Sequence, residues 1–133
     1  MPVTSDEDVA DLLRSSARIA MVGASGRPDR PSFGVLAYLL AHGYDVMPIN
    51  PGLSGQRIQA QPVIDSLSNI TDPVDLVDIF RSSEAAGDAV DAAIAHGAKA
   101  VWMQIGVINH AAAERAEAAG LKVVMDRCPK VEM

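Results

Sequence analysis

Ile19-Ala20-Met21-Val22-Gly23-Ala24-Ser25-Gly26 is the stretch whose reading decides the fold. Four apolar residues in a row, with no alternation, read as a parallel strand covered on both faces. Glycine follows at once, where a backbone turning sharply toward a ligand needs freedom from a Cβ. After the loop Arg27-Pro28-Asp29-Arg30-Pro31, Ser32 is placed to cap a helix whose apolar residues Val35, Leu36, Leu39 and Leu40 recur at helical spacing. Gly43 then closes that helix as a C′ glycine does.

The same alternation continues to the end of the chain. Residues 44–49 form a second strand, ended by Asn50-Pro51-Gly52. Residues 52–72 are rich in breakers and are expected to hold only a small strand near 56–59 and a helical turn near 64–67. A third strand over 74–80, a helix from Ser83 to Gly97, a fourth strand over 98–103, a helix from Asn109 to Gly120 and a fifth strand over 121–125 follow. Upstream, Thr4-Ser5-Asp6-Glu7-Asp8 carries capping signals for a short amphipathic helix over 5–16.

Strand and helix in alternation specify a doubly wound, mainly parallel five-stranded α/β sheet with helices on both faces. The expected strand order is 3-2-1-4-5, which sets the switch point between the first and fourth strands. Ligands of such sheets sit beyond the carboxyl ends of the strands at that point. One domain accounts for all 133 residues.

Bulk properties exclude several classes. Hydrophobic residues make up 49% of the chain, enough for a packed core, and the formal net charge is −6 with no cluster of cations. Nucleic acids bind basic surfaces, so they are not expected partners. No apolar run reaches about 18 residues, so no membrane span is expected, and the acidic start lacks the layout of a signal peptide. The lone cysteine, Cys128, suits a reducing cytoplasm.

Three loops at the strand carboxyl ends carry the candidate site. Gly23, Ala24 and Ser25 lead toward Arg30 and Ser32 at a helix start, where bare amides and the helix dipole favour a phosphate. Gln104, Ile105 and Gly106 follow the fourth strand; Phe80 and Arg81 follow the third, offering an aromatic face and a cation. A plain strand-to-helix turn remains the alternative for each loop taken singly. A dinucleotide fingerprint wants a third glycine and an acid after the second strand. Asn50 and Pro51 stand where that acid belongs, which disfavours NAD, and no P-loop is present.

No metal-ligand spacing links the histidines: His42 and His96 precede C′ glycines, and His110 opens a helix. Trp102 reads as core. Cys128 lacks a matched base, so a thiol-based redox or acyl-accepting role is the weaker alternative.

The segments Ile19 to Ser25, Arg30-Pro31-Ser32, Gly43-Tyr44-Asp45-Val46, Pro48-Ile49-Asn50-Pro51, Val77-Asp78-Ile79-Phe80-Arg81, Trp102-Met103-Gln104-Ile105-Gly106 and Val124 to Cys128 resemble those of the small stand-alone CoA-binding domain proteins. That family is similar to the CoA-binding domain of the succinyl-CoA synthetase α subunit, and the resemblance covers nearly the whole chain. It implies a Rossmann-like fold in which Gly23, Ala24, Ser25, Arg30 and Ser32 hold the phosphates of coenzyme A. It also implies that Asn50, Pro51, Phe80 and Arg81 border the nucleotide, with Gln104, Ile105 and Gly106 across the cleft. Where the synthetase relatives carry a lysine, this chain has Leu53, which removes one phosphate contact. No counterpart of the synthetase's phosphorylated histidine is present. The expectation is therefore non-catalytic binding of CoA or an acyl-CoA, with a protein partner, a homo-oligomer, or a place as nucleotide-binding subunit of a larger acyl-CoA enzyme left open.

Overall fold

The computed structural model describes residue 3, residues 5–53 and residues 55–127. In chain order its elements are α1 (Asp6–Ser15), β1 (Arg18–Val22), α2 (Pro31–Ala41), β2 (Asp45–Ile49), β3 (Arg57–Ile58), β4 (Gln61–Pro62), β5 (Leu76–Ile79), α3 (Ser83–His96), β6 (Ala100–Met103), α4 (His110–Ala118) and β7 (Lys122–Val124). Single 3-10 turns occupy Pro51–Leu53 and Leu67–Asn69.

Each main helix begins and ends for a local reason. The hydroxyls of Ser5 and Ser82 and the side-chain oxygen of Asn109 accept from the amides of Asp8, Ala85 and Ala112. Gly43, Gly97 and Gly120 take positive φ just past the helix ends. α2 departs from expectation. Pro31 fills its first position, Arg30 is the cap residue without a side-chain bond, and Ser32 lies one residue inside the helix.

Five parallel strands form one sheet in the order β2-β1-β5-β6-β7. The doubly wound class holds, with α1 and α2 on one face and α3 and α4 on the other. The order 3-2-1-4-5 does not. Counting only these five strands, it is 2-1-3-4-5, because the third strand lies between the first and the fourth. All four residues of β5, Leu76 to Ile79, are buried, as befits a strand covered on both faces and paired on both edges. β2 carries exposed Asp45 and also Pro48, which cannot donate to a ladder and so belongs at an edge. On its outer side β2 makes only a bridge between Ile49 and Ile64.

The corrected order moves the switch point to the gap between β1 and β5. There the chain winds outward in both directions, and right-handed crossovers place the helices on opposite faces. Side chains alternate accordingly. Ile19, Met21, Leu76 and Trp102 join Leu12, Leu13, Val35 and Leu36 on the α1/α2 face. Ala20, Val77, Ile79 and Val101 meet Val90, Ala93, Ala112 and Ala116 on the other.

In the irregular segment, β3 forms where a small strand is expected and pairs with β4 as a hairpin. The helical turn lies at Leu67–Asn69, beyond the expected 64–67, because Ile64 is drawn into the bridge with β2. Among the described residues no helix is long and apolar enough to cross a membrane.

Candidate functional site

At the switch point the ends of β1 and β5 nearly touch. Gly23 has a φ of +85°, and a Cβ there would lie 2.4 Å from the Phe80 carbonyl oxygen. Only glycine fits. The loop is then stapled to the end of β2. The amides of Gly23 and Ala24 both donate to Ile49 O, at 3.0 and 3.2 Å. Asn50 Nδ2 donates to Ala24 O at 2.8 Å, while its Oδ1 accepts from the Gly52 amide. Asn50 thus holds two turns together.

The expected bare amides at Gly23, Ala24 and Ser25 are therefore not bare. Ser25 donates its amide to Ser32 Oγ at 3.0 Å, and the Arg27 amide donates to Ser25 Oγ. Ser32 serves the loop through its hydroxyl, not the helix as a cap. Among the described residues, the amides of Gly26, Asp29 and Ser32 find no protein acceptor, and they are donors left at the mouth of α2. Two guanidiniums flank them. Arg27 pairs with Asp29 across exposed surface, and Arg30 is exposed with no acid against it.

These loops enclose a cleft of about 660 Å³, a size that suits a ligand of cofactor dimensions. Gly23, Ala24, Ser25, Arg30, Ser32, Asn50, Phe80, Gln104 and Ile105 all line it, joined by Arg27, Pro31 and Val107. Val107 has no signal in the sequence beyond being apolar beside a glycine. One end of the cleft is cationic and hydroxyl-rich; the other is walled by Phe80, Ile105 and Val107. Among the described residues, no histidine or acid lines it.

Three expected residues lie elsewhere. Pro51 and Arg81 border a smaller hollow of about 190 Å³ together with Asp65, Ser66 and Asp88. Successive side chains at a strand end point to opposite faces, so Phe80 and Arg81 cannot share one cleft. The stem of Arg81 crosses beside Gly23, its Cδ 3.0 Å from a Cβ built there. Gly106 is next to the cleft, but its amide donates to Asp126 Oδ1 at 2.6 Å, so it is not a free donor. Leu53 packs partly buried against the α1/α2 side of the core.

The remaining candidates behave as structure. His42 stacks on Tyr38, His96 hydrogen-bonds Ile70 O, and the described residues contain no cluster fit for a metal ion. Trp102 is fully buried, its indole donating to Arg127 O. Cys128 lies outside the described residues.

One buried acid was given no role by the sequence. Asp78, in the middle of β5, is wholly inaccessible and accepts from Gln104 Nε2 at 2.6 Å. Burial pushes its carboxyl up to about 7, opposed by the Gln104 hydrogen bond. An acid inside an apolar strand run, Val77-Asp78-Ile79, was the signal available.

Residues 17–133 match the model of the CoA binding domain family. The chain belongs to that family. Bacillus subtilis YneT is 34% identical over 127 residues, spanning 96% of this chain and 93% of YneT. A hypothetical protein from Pyrococcus horikoshii OT3 shares 37% identity and superposes with a TM-score of 0.92, over 99% of this chain and 93% of its own. This CoA binding domain also superposes on part of acetyl-coenzyme A synthetase 1 from Ca. Korarchaeum cryptofilum, in complex with phosphate and ADP. There the TM-score is 0.73 with 25% identity, over 88% of this chain and 28% of the synthetase.

Proposed function

We propose that this protein binds coenzyme A or an acyl-CoA in the cleft at the β1–β5 switch point, without catalysing a reaction on it. The observation that carries the reading is the division of the cleft. Arg27, Arg30 and the hydroxyls of Ser25 and Ser32 gather at the start of α2, while Phe80, Ile105 and Val107 wall the other side. Phosphates suit the first end, through charge-assisted bonds and the helix start. The apolar pantetheine arm suits the second. Among the described residues, neither a nucleophile paired with a base nor a pair of carboxylates lines the cleft, which supports a binding role. Membership of the CoA binding domain family supports the choice of ligand.

Calorimetric titration with CoA, acetyl-CoA, NAD and ATP tests this. CoA or acetyl-CoA is expected to bind most tightly, and Arg30→Ala to weaken it about tenfold, the scale of one charge-assisted contact. Tighter binding of NAD than of CoA overturns the assignment. A second reading, a nucleotide-binding subunit of a larger acyl-CoA enzyme, draws support from the superposition on 28% of the synthetase chain. Native mass spectrometry of the protein recovered from its source cells would show a heteromeric complex; a free chain counts against it.

A further inference from the structure

Gln104 is both part of the cleft wall and almost wholly buried, at 6% exposure. Its Nε2 is committed downward to Asp78. Among the described residues its Oε1 has no protein partner, and it is not among the sealed-off polar atoms of a side chain that lines the cleft. Asp78 sits one layer below, on the same side of β5 as Leu76 and Phe80, in register with Met21 of β1 and Trp102 of β6. Its second oxygen, Oδ2, is buried without a partner.

We infer that Asp78 and Gln104 form a specificity-determining pair: the buried carboxyl fixes the Gln104 amide with its NH2 group inward, so that Oε1 accepts a hydrogen bond from an N–H of the bound ligand. The inference rests on the CoA reading, and CoA offers that donor from two places, the adenine amine and the pantetheine amides. An ionised carboxylate can only accept, so it permits one orientation of the amide. A protonated carboxyl can donate to Oε1 instead, and the amide is then free to turn its NH2 outward. The cleft floor changes from acceptor to donor with the proton on Asp78.

Among the described residues, nothing else charged faces that carboxyl. Met21 and Trp102 flank it from the neighbouring strands, and α1 and α2 turn Val9, Leu12, Leu13, Val35, Leu36 and Leu39 toward the same layer. The ionisable residues of α1 (Asp6, Glu7, Asp8, Asp11 and Arg14) are exposed, and the one ionisable side chain of α2, Tyr38, stacks on His42 at the far end of that helix. Burial raises the carboxyl toward neutrality, and no neighbouring charge shifts it further. The exchange of orientation therefore falls in the range where binding is ordinarily measured.

The test is a titration of CoA into the wild type, Asp78→Asn and Gln104→Met, each in mildly acid and mildly alkaline buffer. The 3′-phosphate of CoA loses a proton near pH 6, so the readout is the wild type relative to Asp78→Asn at each pH. That ratio is expected to move about tenfold in favour of the wild type as the pH rises, and Gln104→Met to bind about tenfold more weakly in alkaline buffer. ADP, inosine diphosphate and pantetheine then locate the donor: the Gln104→Met penalty persists with ADP but not inosine diphosphate for the adenine amine, and with pantetheine for the arm. Parallel pH profiles in the wild type and Asp78→Asn, or no penalty in Gln104→Met, overturn the pair. A wild type that binds no CoA at any pH removes the CoA reading itself. In that event the side-chain amide signal of Gln104 in the free protein decides by NMR. A signal that follows the Asp78 titration, absent in Asp78→Asn, sustains the coupling, and one that does not move overturns it.

Discussion

Gly23 and Asp78 show two different costs of building a site at the centre of a parallel sheet. At Gly23 the cost is space, since the loop must pass the Phe80 carbonyl too closely for any Cβ and with a φ that L residues avoid. Gly23→Ala is expected to lower unfolding free energy by about 2–4 kcal/mol, checked by urea denaturation, and to reduce CoA binding through displacement of the Ser25 and Ala24 turn. At Asp78 the cost is ionisation. Its folded pKa, about 7, lies above the ordinary carboxyl value, so the folded state keeps a proton that the unfolded chain has released. Stability from this group is full at acid pH, falls once the pH passes the unfolded value near 4, and levels off above about 7. Asp78→Asn is therefore expected to be more stable than the wild type at neutral pH, by up to about 4 kcal/mol, with the gain vanishing in acid. Chemical denaturation of both proteins at acid and neutral pH measures it; an equal difference at both would contradict the buried, neutral-leaning carboxyl.

Among the elements, those set by local signals were legible and those set by distant partners were not. Ser5, Asn109, Gly43, Gly97 and Gly120 mark helix ends because a cap or a left-handed residue acts within a turn of its own position. Ser32 carries the same capping signal, yet its hydroxyl answers to Ser25 seven residues upstream, and Pro31 sets the helix start without it. The β3–β4 hairpin is the plainest case of a hidden element. Its two-residue turn is Gln59-Ala60, both at positive φ with no glycine present, a conformation that turn chemistry gives to Asn-Gly or Gly-Gly. Tertiary contacts impose it. Gln59 Nε2 donates to Phe33 O at 2.8 Å, and Ile58 and Val63 are buried, so the hairpin buttresses the first turn of α2. Ala60→Gly should relieve strain at a φ of 68° and raise stability by about 0.5–1 kcal/mol, seen as a higher melting temperature. Gln59→Ala should act in the opposite sense by about 1 kcal/mol, through loss of the side-chain hydrogen bond that ties the hairpin to Phe33 O.

For the whole molecule, the alternation of strand and helix establishes the doubly wound class but says nothing of lateral order, which depends on which strand edges are fit for burial. Pro48 and Asp45 mark the second strand as an edge, and the uninterrupted burial of Leu76 to Ile79 marks the third as central. The loops proposed for the site leave from neighbouring strand ends in either arrangement, so most of their residues still line one cleft, although Arg81 and Pro51 pass to the far side. Charge is the other property of the whole. A net charge of −6 repels an anionic ligand at long range, while Arg27 and Arg30 attract it at the cleft. Salt weakens both, but with opposite consequences, and screening falls first on the distant acids, beyond a Debye length of about 8 Å at physiological ionic strength. In the wild type the local contacts are expected to dominate, so CoA affinity should fall as salt is raised. In the double variant Arg27→Ala, Arg30→Ala only the diffuse repulsion remains, and affinity, already about 100-fold lower at low salt, should then rise with salt. Titrations at low and high ionic strength measure the sign directly. A double variant whose affinity still falls with salt would show that the cations holding the phosphates are not these two.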